Sequence, residues 1–515
     1  MILAYYIYIF ITYYIYISLF RPRVFKNLVT FKIIICQHFC QQPKMGFFKF
    51  LFIVILILVA RYYLLQYLRP KFPKFPPRNV PDANPVFPKT FKYGVSTASY
   101  QIEADVPPTN WTLWERQTDR FGNPRAPINN RKCDGFNRFY QDIMLAQQLG
   151  CKYYRLSFSW ARLNPRPGQF DNDILSTYRG WLIKIRELGM EPLLVLWHFE
   201  HPAWLEERGS VMSPEFVHKF TEYVEFVVNG VSDVCTFYHT VNEPIGFIVT
   251  SIIGDVFPPG KGTIENCVDG IANLMQCHAN AYHIIHRLNP NAKVSYAKNV
   301  VPFIPMHGWS AIEYLISHVL NFYNRVGFDV FKTGKIQFLW YTREIQNIIG
   351  TLDYISLNHY YCTFVTIDYR QWGKLNGNFI PFLSYGDMFC PTSDFGWGMI
   401  PGSLSAVARW IHDEYNADQR LPIMITEHGA ADSEDTRRQW FLKESLFHLS
   451  SLTNLGYPIA AYIHWTLFDN YEWAQGTKMK FGLFQTDYET MERKPRKSAE
   501  IFAKIAQLHN NRPDF

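Results

Sequence analysis

Eight short apolar runs, each of strand length and separated by longer stretches of helical period, constrain this chain more than any other feature. They are Lys92–Tyr100, Lys152–Trp160, Glu191–Phe199, Val234–Val241, Ala292–Lys298, Leu352–Tyr360, Pro422–Thr426 and Ile459–Leu467. Near-continuous apolar runs suit strands buried on both faces, which is how strands joined by crossover helices pair in parallel. The intervening helices show their own signals. Over Asp173–Leu188 the residues Ile174, Leu175, Tyr178, Trp181, Leu182 and Ile185 recur at a three-to-four spacing. Ser213-Pro214-Glu215 opens the segment Ser213–Val231 with an N-cap and a proline at the first helical position. Eight strands alternating with helices predict an α/β chain built as one (β/α)8 TIM barrel, in which reactive groups gather where strands end.

Two runs deliver a carboxylate at that end. Val234-Cys235-Thr236-Phe237-Tyr238-His239-Thr240-Val241-Asn242-Glu243-Pro244 reads as a buried strand stopped by a proline that cannot donate to the ladder. Pro422-Ile423-Met424-Ile425-Thr426-Glu427-His428-Gly429 closes in the same way, with a glycine that permits a tight turn. A lone Asn-Glu-Pro recurs by chance, but two strand-end carboxylates on one barrel suit acetal cleavage. That reaction needs a proton on the leaving oxygen and electron density on the anomeric carbon, so one carboxyl must be neutral while the other is charged.

The N-terminal part is of a different kind. Residues 1–20 carry no charged side chain, and Phe47 to Leu68 is apolar apart from Lys49, Arg61 and Gln66. We divide the chain into a hydrophobic and basic extension over residues 1–44, with Met45 the expected start of translation, a signal-anchor or transmembrane helix over 45–68, a basic Pro-rich linker over 69–84 and the barrel over 85–515. The formal net charge of +7 owes much to Lys and Arg flanking the apolar segments, so it describes a membrane flank and not a nucleic-acid footprint. The expected location is therefore a membrane, endomembrane or cell surface, with a lumenal or extracellular barrel, or secretion if the segment is cleaved. The sequon Asn110-Trp111-Thr112 is consistent with a lumenal barrel. The nine cysteines show no zinc-ligand spacing, and Cys36 and Cys40 suit lipidation as well as a bridge.

Thr240-Val241-Asn242-Glu243-Pro244 together with Ile425-Thr426-Glu427-His428-Gly429 resembles the acid/base and nucleophile motifs of family 1 glycoside hydrolases, the β-glucosidase and lactase-klotho-like superfamily. The resemblance extends over residues 85–508. It includes Val95-Ser96-Thr97-Ala98-Ser99-Tyr100-Gln101-Ile102-Glu103, Tyr154-Arg155-Leu156-Ser157-Phe158-Ser159-Trp160, Trp197-His198 and Phe257-Pro258-Pro259-Gly260. Asn358-His359-Tyr360 and Trp465-Thr466-Leu467-Phe468-Asp469-Asn470-Tyr471-Glu472-Trp473 complete it.

The resemblance implies a retaining β-glycosidase acting on β-glucosides or β-galactosides through a covalent glycosyl-enzyme. It assigns Glu243 as acid/base and Glu427 as nucleophile, with Arg155 and Tyr360 holding the nucleophile ionised and Asn242 donating to the sugar 2-OH. Gln101, His198, Glu472 and Trp473 would clamp the remaining hydroxyls, and Trp465 would floor the ring. Glu472 would repel a 6-phosphate. No metal or organic cofactor is implied; the partners are a small glycoside or glycolipid and the membrane, without nucleic acid. Three departures from the family pattern stand out: His428 after the nucleophile, Phe199-Glu200 after the third strand, and Asp134-Gly135-Phe136 without a usual His. Each is expected to act on substrate choice or pH dependence, and the segment Leu375–Ile400 on the aglycone. The competing readings are a catalytically silent klotho-like binding protein, which would lack one carboxylate, and a transglycosylase on a membrane glycolipid. A myrosinase-like thioglucosidase would carry Gln at position 243.

Overall fold

In the computed structural model, residues 46–69, 84–366 and 390–511 are described, together with a few isolated positions between them. The extension over residues 1–44, most of the 69–84 linker, Cys36, Cys40 and half of Leu375–Ile400 lie outside the described residues.

The barrel strands are β1 (Lys92–Ser96), β2 (Tyr153–Ser157), β3 (Glu191–Trp197), β4 (Phe237–Asn242), β5 (Lys293–Asn299), β6 (Ile355–Asn358), β7 (Ile423–His428) and β8 (Ile459–Trp465). They close in the order β1-β8-β7-β6-β5-β4-β3-β2, each neighbouring pair parallel. All eight expected strands are present, but several expected boundaries overshoot. The first run stops at Ser96, and Ser99–Ile102 is already a helical turn. The fourth strand starts at Phe237, because the Val234 and Cys235 amides bond back to the Val231 carbonyl at the end of the preceding helix. Apolarity marks burial, and burial continues beyond the ladder.

Inside the barrel Leu193, Val195, Tyr354, Met424, Ala461 and Ile463 form a buried cluster. Each of the Leu, Val, Met and Ile side chains contributes roughly 1.5–3 kcal/mol relative to leaving it in water. The predicted helix over 173–188 is Asn172–Glu187, N-capped by Asp171, whose carboxylate accepts from the Asp173 and Ile174 amides at 3.0 Å each. It buries Leu175, Tyr178, Trp181, Leu182 and Ile185. Helix Pro214–Val231 begins as expected, the Ser213 hydroxyl accepting from the Glu215 amide at 3.2 Å. Two antiparallel hairpins without a clear sequence signal lie outside the barrel, Lys335–Phe338 with Tyr341–Glu344 and Phe484–Thr486 with Arg493–Pro495.

A separate compact unit contains helix Gly46–Leu68 and helix Ala311–Leu320. Within it the Tyr67 and His318 rings lie 5.7 Å apart and the Arg61 guanidinium donates to the Trp309 carbonyl. The side chains of Gly46–Leu68 are described from Phe52 onward. Among the described residues no helix is long and apolar enough to cross a membrane.

The sequon reading is overturned. Asn110 is fully buried, its amide donating to the Phe199 carbonyl at 3.0 Å and accepting from the His201 amide at 3.1 Å, and Thr112 closes a capping box with Thr109. An asparagine spent on these bonds has no nitrogen to offer a glycan. Cys133, Cys151, Cys235, Cys267, Cys277 and Cys362 are free and buried, and Cys390 is buried.

Candidate active site

The end of β4 turns sharply. Glu243 adopts φ 41°, ψ 52°, a left-handed conformation that breaks the strand and lets Pro244 start a short helix, Pro244–Ile248. The carboxyl is held by two neutral amides. Asn358 at the end of β6 donates to Oε1 at 2.7 Å, and Asn299 at the end of β5 donates to Oε2 at 3.1 Å. Burial first and the neighbouring Glu427 charge second push the Glu243 carboxyl up to about 7, against the pull of the two amides. Glu243 therefore holds its proton near neutral pH.

Glu427 ends β7 among charged and phenolic donors instead. The Arg155 guanidinium, buried at the end of β2, donates from Nη1 to Oε1 at 2.5 Å, and the Tyr360 hydroxyl donates to Oε2 at 2.6 Å. Burial and the charges of Glu427 and Glu243 hold the Tyr360 phenol well above its usual range, so it remains a donor. Arg155 also spends Nη1 on the Ser96 hydroxyl at 3.0 Å, Nε on His239 Nδ1 at 3.2 Å and Nη2 on the Asn242 carbonyl at 2.6 Å. A cation so fully satisfied cannot swing away from the carboxylate.

Asn242 links the two halves. Its carbonyl accepts from Arg155 and from Asn358 at 3.3 Å, which orients its amide nitrogen toward His198 Nε2 at 3.2 Å. With Nε2 accepting, the ring proton of His198 belongs on Nδ1, a buried donor without a protein partner among the described residues. Burial and the Arg155 charge keep this imidazole neutral, well below its usual range. Gln101 donates to the Tyr471 carbonyl at 3.0 Å and to Glu472 Oε2 at 3.1 Å, leaving its own buried carbonyl unpartnered. Burial, then the Glu427 charge, pushes Glu472 up to about 8. The His198 ring stacks 5.8 Å from Trp465 and 5.9 Å from Trp473. Orphaned polar atoms beside stacked aromatic faces are what a ring bearing several hydroxyls requires of its container. All ten residues expected in the site thus meet at the carboxyl ends of the strands.

The glycosyl hydrolase family 1 model matches residues 83–511. The chain belongs to glycosyl hydrolase family 1. It is 27% identical over 454 residues to β-glucosidase A of Acetivibrio thermocellus, covering 82% of this chain and 98% of that one. To the β-galactosidase of Saccharolobus solfataricus it is 27% identical over 478 residues, with 82% and 95% covered. The β-glucosidase from Thermotoga maritima in complex with deoxynojirimycin superposes with a TM-score of 0.73 at 25% identity, covering 84% of this chain and 100% of that chain.

In this family 1 hydrolase the departures divide: Phe199 packs against the site, its ring 5.3 Å from His198 and 5.2 Å from Trp473, whereas His428, Glu200 and Gly135 are spent on structural contacts. His428 alternates away from Glu427 along β7. Its Nδ1 meets the Tyr462 hydroxyl at 2.9 Å and its ring stacks 4.8 Å from Phe441. Glu200 caps the short helix Trp160–Leu163, accepting from the Trp160 and Ala161 amides at 3.0 Å each. Gly135 starts helix Gly135–Gln148, where a Cβ would meet the Ile102 side chain at 2.9 Å. Sequence reasoning quoted Asn358 without giving it a role and passed over Asn299 entirely. Both follow the same rule as the carboxylates, a polar residue closing a barrel strand, and that rule could have found them.

Proposed function

We propose that this glycoside hydrolase is a retaining β-glycosidase, with Glu243 as acid/base and Glu427 as nucleophile, acting on β-glucosides or β-galactosides. The observation that carries the reading is the unequal treatment of two neighbouring carboxyls: a guanidinium and a phenol hold Glu427, whereas two neutral amides and burial leave Glu243 protonated. Glu427 attacks the anomeric carbon while Glu243 protonates the departing oxygen. Glu243, now ionised, then takes a proton from the water that releases the sugar. The Asn242 amide is placed to donate to the 2-OH, His198 Nδ1 and Gln101 Oε1 to pair with other hydroxyls, and Trp465 to underlie the ring. β-Glucosidase and β-galactosidase among the relatives support this substrate class. The non-catalytic reading needs a missing carboxylate, and both are in place. Hydrolysis of aryl β-glucosides and β-galactosides by the full chain, beside Glu427→Gln, tests the reading. Turnover by a folded wild type that the variant abolishes supports it, and a folded wild type inert across a broad glycoside panel overturns it.

A second proposal concerns location: helix Gly46–Leu68 attaches the enzyme to a membrane, where a glycolipid becomes an accessible substrate. The helix has 23 residues, and Ile53, Ile57, Leu58 and Tyr63 expose their apolar surface. Liposome flotation of the full chain against a chain lacking residues 46–68 tests this, and equal flotation of the two would end it. Protease protection in sealed vesicles would then show which side holds the barrel.

A further inference from the structure

Beside the acid/base lies a buried lysine that the glycosidase chemistry described so far does not use. Lys298, on β5, is 1% exposed and directly precedes Asn299, whose amide donates to Glu243 Oε2. Its ammonium donates to the Asn299 carbonyl and sits 4.1 Å from the centre of the Tyr323 ring. No carboxylate lies within ion-pair distance of it among the described residues, so the amine is buried with one carbonyl and one aromatic face for company. The packing is shaped around it. A Cβ on Gly327 would meet Lys298 Cδ at 2.7 Å and Cε at 2.8 Å, so glycine there leaves the stem its room. The Tyr323 hydroxyl and Glu243 Oε2 in turn flank the space that a Cβ on Gly246 would occupy, 3.1 and 3.2 Å from it.

Taking the Glu243 assignment as given, we propose that Lys298 is a positioning residue for the acid/base: its buried ammonium biases Glu243 toward the carboxylate needed for the second, base-catalysed step and so sets the alkaline limit of activity. A buried ammonium is costly without a compensating anion, and Glu243 is the charge that supplies it when it ionises. The other groups facing Glu243 are Asn299 from β5, Asn358 and Tyr360 from β6 and the turn after it, Glu427 from β7, Glu472 after β8, and Tyr323 from helix Phe322–Thr333. Among these the Glu427 charge opposes ionisation of Glu243, and the Asn358 and Asn299 amides favour it by hydrogen bonding. Lys298 supplies the opposing positive charge. Burial pulls Lys298 down to about 7, beside Glu243 at about 7, so the two protons exchange influence in the working range.

The test is the pH dependence of Lys298→Met in the full chain, with para-nitrophenyl and dinitrophenyl β-glucosides. Removing the cation makes Glu243 hold its proton to higher pH. The alkaline limb of kcat/KM for an unactivated alkyl or para-nitrophenyl glucoside should move up by about 1 unit, the low end of what a nearby opposite charge does to a carboxyl. With dinitrophenyl glucoside, whose departure needs no acid, that limb should not move, but kcat below neutrality should fall because base catalysis limits it. Lys298→Arg should restore most of the wild-type profile. A folded Lys298→Met with an unmoved limb overturns the proposal, as does an equal shift with both substrates. Should Lys298→Met not fold, Gly327→Ala displaces the ammonium and is read in the same way. If the wild type itself proves inert, the glycosidase reading fails, and titration of the Glu243 carboxyl by carbon NMR in the two proteins still decides whether Lys298 shifts it.

Discussion

Glu243 and Glu427 are the same residue type, close two parallel strands of the same barrel, β4 and β7, and lie at the same end of it, yet they are held by opposite kinds of neighbour. Around Glu427 the donors are a guanidinium and a phenol at 2.5 and 2.6 Å. Around Glu243 they are two carboxamides at 2.7 and 3.1 Å. An ionised donor stabilises a carboxylate roughly twice as strongly as a neutral one, so the negative charge settles on Glu427 and the proton on Glu243. The difference between acid and nucleophile is thus a property of the neighbouring strands: β2 contributes the arginine, β5 and β6 the asparagines.

The comparison breaks most completely at the nucleophile. Glu427→Gln should lower kcat by about 10,000-fold or more, measured on aryl β-glucosides, since no other group can form the covalent intermediate. Added azide should recover turnover by replacing it. Glu243→Gln should cost about 100- to 10,000-fold on an alkyl glucoside but little in kcat/KM on a dinitrophenyl glucoside. That contrast between leaving groups separates the acid from the nucleophile, and equal losses on both would merge them.

Smaller changes sharpen it. Tyr360→Phe removes one donor from Glu427 and leaves Arg155; with a hydrogen bond to a charged group worth about 1.5–3 kcal/mol, kcat/KM should fall by about 10- to 100-fold. In the wild type, kcat/KM for alkyl glucosides should decline above about pH 7, because Glu243 must be protonated to act. Asn358→Ala deletes an amide that favours the Glu243 carboxylate, so its proton is held more tightly and the decline should begin at higher pH, by at most about one unit. His428→Asn should change kcat/KM by less than about threefold, since the side chain faces Tyr462 and Phe441, while thermal unfolding registers its loss.

Much of this was legible in the residues alone. The alternation of apolar runs and amphipathic helices predicts the barrel because parallel strands buried on both faces and one-sided helices have few other ways to cover each other. The ends of those runs name Glu243 and Glu427, and the family resemblance adds the eight residues around them. Strand limits were less legible: Val234 and Cys235 are as apolar as the strand they precede, but their amides belong to a helix end. The sequon Asn110-Trp111-Thr112 misled, since a three-residue pattern carries no record of burial.

What the chain determined by itself is therefore periodicity, fold class and two carboxyls at strand ends, all of which are local or repeat at a fixed spacing. Which carboxyl meets the guanidinium, which departures pack against the site and what surrounds Lys298 were decided only when residues far apart in the chain met. Arg155 and Glu427 are 272 residues apart in sequence and 2.5 Å apart in space. Charge states follow from distance and burial, and neither is written in the order of the residues.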